Sequence, residues 1–226
     1  MGDVFIKIIF FIIYIFSITS VFCQESKVRT IDSLSYVDKL DTLNIIYGKN
    51  KIIPGDIKLC FLIALSYYPE LSKSKVIFKS TKIKTTLNTR PTLLSVVFNR
   101  KSNRKYIIRI NNSIGQNNLV LNQADFNSKI GVLGHELGHI CDYGQVNLWG
   151  LIKIALDYSF SESKKNVENR IEILTIEKGL GWQLYYWSDF VLNKSNATER
   201  YKLYKIKFYL TPEQIKEKMV LNNYQM

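Results

Sequence analysis

Histidine is nearly missing from this chain: 226 residues hold two, His135 and His139. Any site built on three imidazoles is thereby excluded. Cysteine is almost as scarce, with three residues. Cys23 ends an apolar N-terminal segment. Cys60 and Cys141 lie far apart in sequence, too little evidence for a disulfide, and both read as buried thiols in apolar helical surroundings. Acidic residues are absent from Leu71 to Ala124, where eleven Lys and Arg stand, and that run supplies nearly all of the formal net charge of +12. No repeat or low-complexity linker interrupts the chain. At 46% hydrophobic residues and a mean hydropathy of −0.04, the remainder is globular in composition. One domain spanning 24–226 is expected, long enough to bury a sizeable core.

Residues 1–23 form their own unit. Lys7 precedes an apolar stretch from Ile8 to Phe16 that runs on through small and apolar residues to Phe22. It is short and weakly flanked for a spanning helix, and reads as a secretory signal peptide cut before Gln24. The chain is therefore expected to be exported, periplasmic or secreted. Retention of the segment as a membrane anchor is the alternative.

Both histidines fall in Gly134-His135-Glu136-Leu137-Gly138-His139, an H-E-x-x-H pattern. Random placement would set two histidines four apart, with Glu after the first, in roughly 4 of 10,000 cases, so the pattern is a specific one. On a helix, residues four apart share a face, so two imidazoles converge on one point. That pairing suits Zn²⁺, with Glu136 beside it as general base for a water. Asp125 is a good N-cap, and Phe126, Ile130, Leu133, Leu137 and Ile140 recur at helical spacing, predicting a helix over 126–143. Gly134 and Gly138 mark a face approached closely by another backbone or by the metal site. Hydrolytic zinc sites use three protein ligands. Cys141 lies about 200° around the helix from His139 and is a poor third. A carboxylate on a later helix remains, and Glu168 and Glu172 both qualify.

With these residues in view, the chain resembles the gluzincin metallopeptidases, where H-E-x-x-H is followed on a second helix by a ligand glutamate. The resemblance rests on residues 134–142 and on the segment from Glu168 to Gly179. It implies Glu168 as third ligand of one Zn²⁺, and Glu172 as the acid one turn on that accepts a hydrogen bond from a ligand histidine. It also implies a zincin-like α+β domain: a small antiparallel sheet, the H-E-x-x-H helix, the glutamate helix and a helical C-terminal part. Its activity would be hydrolysis of peptide or protein substrate, aligned along the last strand before the motif, Tyr106–Ile110.

Elsewhere the pattern predicts helices over Leu34–Tyr47, from Pro54-Gly55-Asp56 to Tyr68, and over Leu148–Leu156 beside the cleft. Strands are expected at Val76–Phe78, Ile83–Leu87, Leu93–Phe98 and Tyr106–Ile110, with a hairpin loop at 99–105. Trp182, Tyr185, Tyr186, Trp187 and Phe190 read chiefly as core. Tyr185 or Tyr186 is a guess at the group that polarises a substrate carbonyl. Asp142 shares the histidine face and either orients a ligand histidine or stays solvated. Thr211, Pro212 and Gln214 spell a capping box. The basic residues of 73–109 read as a solvated face, or as a surface attracted to anionic membrane. Nucleic acid is not expected, because the aromatics are not interleaved with the basic run. Two other functions fit the motif: a non-catalytic zincin-fold binding module at the cell envelope, and a zinc hydrolase of a non-peptide amide.

Overall fold

A computed structural model describes residues 27–112 and 121–224; the N-terminal segment and its proposed cleavage site lie outside them. The fold is α+β, a small four-stranded sheet followed by a mostly helical C-terminal part. Helices α1 (Leu34–Val37) and α2 (Leu40–Tyr47) lead to the two-residue strand β1 (Lys51–Ile52) and to α3 (Lys58–Ser66). Strands β2 (Lys75–Thr81), β3 (Leu87–Pro91) and β4 (Lys105–Asn111) follow, with a short helix α4 (Leu93–Phe98) between the last two. The remaining helices are α5 (Phe126–Gln145), α6 (Leu148–Asp157), α7 (Ser161–Thr175), α8 (Gly181–Asp189), α9 (Glu199–Phe208) and α10 (Pro212–Leu221). No helix among the described residues is long and apolar enough to cross a membrane.

The sheet is mixed, not antiparallel as the sequence suggests. Its order is β1-β2-β4-β3, with β1 and β4 both parallel to β2 and β3 antiparallel to β4. Tyr106–Ile110 is therefore an inner strand, paired on both sides, and cannot align a substrate. The edges belong to β1 and β3, of which β3 borders β4. Leu93–Phe98, expected as a strand, is helical, and Ile83–Thr86 is a loop leading into β3. A six-residue apolar run does not separate strand from helix by itself; here Pro91 and the extended Thr92 end the strand just before it.

The helix expected over Leu34–Tyr47 is two, α1 and α2, broken at Asp38 and Lys39, and β1 is an element the sequence pattern does not predict. Asp125 caps α5 by accepting from the Ser128 amide at 2.9 Å, and Thr211 and Gln214 form the capping box of α10. Arg104 closes the far end of α5, donating to the Tyr143 and Val146 carbonyls at 2.7 and 2.8 Å, a cation on the negative end of the helix dipole. Trp182, Trp187 and Phe190 are buried.

Helix α5 is the centre of the molecule, nearly all of it buried between α3, α7, α8 and the inner face of the sheet. Its glycines make room for those neighbours. A Cβ on Gly131 would lie 2.0 Å from the Gln183 carbonyl oxygen of α8, and one on Gly138 2.9 Å from Ile171 Cγ2 of α7. At Gly131 the obstacle is backbone and cannot rotate away. Gly131→Ala should cost about 3 kcal/mol, the upper end for overpacking a close-packed interior. A denaturant titration beside the wild type reads it out.

Candidate metal centre

Near the middle of α5, His135 and His139 present their rings one turn apart, the Nε2 atoms 3.1 Å from each other. Helix α7 brings Glu168 to both: its Oε2 lies 3.3 Å from His135 Nε2 and 3.4 Å from His139 Nε2. All three side chains are buried, and their ligand atoms lie within 4.8 Å of one another. Three donors at such spacing, two imidazole nitrogens and a carboxylate oxygen, fit a metal ion. The Oε2 of Glu168 has no hydrogen-bond partner, as suits an atom reserved for coordination. His135, His139 and Glu168 could therefore bind a metal ion.

Burial opposes a charge on Glu168, but the two facing imidazoles outweigh it and hold the carboxyl well below the usual carboxylate range. Burial holds His135 below its ordinary value. Burial acts on His139 in the same direction, yet Glu168 prevails there and raises it. A proton on His139 is thus the competitor that a metal must displace.

Glu136, the residue between them in the motif, is buried and has a partnerless Oε2. It borders the same cavity as the three donors, a cleft of about 550 Å³ walled by β3 on one side and α6 on the other. Four tyrosines also border it: Tyr143, Tyr158, Tyr204 and Tyr209. Tyr143 stacks on His139 with ring centroids 5.9 Å apart and donates to the Thr89 carbonyl at 3.3 Å. Tyr209 tilts over His135 at 5.8 Å. Burial, and then the Glu168 carboxylate, push Tyr158 and Tyr209 upward, so both stay protonated donors. Burial likewise pushes Tyr204 up to about 12.

Four residues singled out from the sequence stand elsewhere. Glu172 does not accept from a ligand histidine; its Oε2 accepts from the Leu210 amide at 2.6 Å. Buried, with Lys205 opposing, its pKa is raised to about 8. Asp142 pairs with Arg170 at 2.9 Å, also away from the imidazoles. Neither histidine Nδ1 has a protein partner. Tyr185 and Tyr186 pack with Trp182 in a separate apolar cluster and do not border the cleft. Tyr185 and Tyr186, guessed as carbonyl-polarising groups, thus lie outside the cleft, which Tyr209 borders beside Leu210, the residue whose amide donates to Glu172. With fourteen tyrosines in the chain, nothing local in the sequence distinguished Tyr209. Cys60 and Cys141 are free and buried.

Comparison with protein-family models, curated proteins and solved structures gave no match to any of them.

Two outcomes follow from this geometry. Glu168→Ala should remove bound metal, while Glu172→Ala should leave stoichiometry intact, because only the first deletes a donor; metal analysis of the two variants decides it. Loading requires neutral imidazoles, and the His139 pKa is raised above its ordinary 6.5. Metal affinity should therefore be flat above that raised value and fall about tenfold per pH unit below it. Metal titrations at stepped pH measure the slope.

Proposed function

We propose that the chain is an exported zinc-dependent peptidase of the gluzincin kind. The observation that carries this reading is Glu136: a buried carboxylate with a partnerless oxygen, beside three convergent donors and bordering a substrate-sized cleft. A purely structural zinc site closes with four protein ligands and has no use for a base. Here three donors are followed by an open cavity.

His135, His139 and Glu168 would hold Zn²⁺, which supplies Lewis acidity to water and to the scissile carbonyl. The protein's own groups account for the rest. Glu136 takes a proton from the attacking water, the water oxygen bonds to the carbonyl carbon, and the carbonyl π electrons move onto its oxygen. The protonated Tyr209 phenol would donate to that oxygen as it gains charge. Glu136 then delivers its proton to the amide nitrogen as the C–N bond breaks, and the leaving group departs as an amine. An extended polypeptide would lie along the edge of β3, held by main-chain hydrogen bonds that tolerate varied sequence.

Glu136→Gln keeps the size and the three donors but cannot accept the proton. It should retain metal and lose at least ~10²-fold in kcat, the low end for a general base. A peptide-library cleavage assay with metal analysis on the same sample tests this. Wild-type rates in the variant would remove the peptidase reading, and cleavage of small non-peptide amides alone would redirect it.

A further inference from the structure

The two helices that flank the cleft mouth are apolar toward solvent. Helix α4 turns Ser95 and Val96 inward and leaves Leu94 and Phe98 75% and 77% exposed, with Leu93 and Val97 also outside. Helix α6 buries Leu151 and Ile154, yet Trp149 is 74% exposed and Ile152 and Leu156 continue its stripe at helical spacing. Leu93 and Val96 on one helix and Leu151 and Ile152 on the other line the same cavity. The two apolar faces are therefore the lips of one opening. Helices apolar on their outer side are not explained by the core of a monomer in water.

Charge surrounds these lips. Arg90, Arg100 and Lys105 are exposed next to α4, and none is in an ion pair among the described residues. They belong to the acid-free run from Leu71 to Ala124. A second copy of this chain would bring the same positive charge against itself. An anionic bilayer is complementary in both respects: its phosphates meet the basic residues while the apolar side chains enter the acyl boundary. We propose that the lips formed by α4 and α6 are a docking surface for anionic lipid membrane, which sets the cleft mouth at the headgroup level. This does not rest on the proposed hydrolysis.

Tryptophan fluorescence of the full chain tests it. Trp182 and Trp187 are buried, so an emission change on adding vesicles reports Trp149. A blue shift is expected with phosphatidylglycerol/phosphatidylcholine vesicles, not with phosphatidylcholine alone, and reversed by high salt. Leu94→Asp with Phe98→Asp should weaken binding by about tenfold or more, given the apolar area removed. Arg100→Glu with Lys105→Glu should weaken it on anionic vesicles. Unchanged metal content in these variants keeps the outcome separate from the site. Four results would overturn the proposal: vesicle binding with Trp149 still in water, which assigns attachment to residues 1–23; equal binding to neutral vesicles; a dimer that Leu94→Asp/Phe98→Asp dissociates, with no vesicle binding; or binding of polyglutamate in place of vesicles.

Discussion

The distance between α5 and α7 controls everything at the site. Glu168 reaches both imidazoles because Gly134 and Gly138 present no side chain where Leu180, Ile171 and Thr175 come against α5. With ordinary residues there, α7 would stand further off and its carboxylate would miss. Glycine in a helix interior costs ~1 kcal/mol relative to Ala, and that cost is offset by the packing it permits. The glycines inside the motif thus belong to the donor geometry as much as the histidines do.

The same closeness concentrates acidic groups. Glu136, Glu168 and Glu172 are all buried, in a region where unpaired charge is expensive. Each is managed differently. Glu168 is balanced by the imidazoles, Glu172 by the Leu210 amide and by Lys205, whose ammonium also lies 3.2 Å over the Tyr209 ring. Glu136, like Glu168, has an oxygen without a hydrogen-bond partner, but no ion pair reaches it among the described residues. The result is a rigid surround with one uncommitted group.

What could be read from the sequence was local or strictly periodic. The capped helix and the paired histidines follow from spacing of three and four. The capping box of Thr211 likewise needs no partner from elsewhere in the chain. Sheet topology was not legible, because whether β4 is inner or outer depends on β2 crossing to lie parallel to it, a contact between segments some thirty residues apart. Leu93–Phe98 misled because its apolar residues face outward, where the usual inference from hydrophobicity to burial fails. Glu172 reads from the sequence as an acid that accepts from a ligand histidine, but its partner comes from the loop after α9. Tyr209 was hidden for the same reason: it borders the cleft from that remote loop.

The free edge of β3 is narrower than its length suggests. Thr86 and Asn111 form a hydrogen-bonded pair, and so do Thr92 and Lys105. In an antiparallel ladder the alternation then turns the even-numbered residues toward β4 and leaves Leu87, Thr89 and Pro91 pointing outward. Pro91 has no N–H, the Thr89 carbonyl is taken by Tyr143, and the Leu87 carbonyl by Thr85 at 2.7 Å. Two amides and one carbonyl are left without those encumbrances. Such an edge can register a visiting strand over a few residues, yet it is too sparse to template sheet growth, so the molecule carries an accessible strand without inviting its own aggregation.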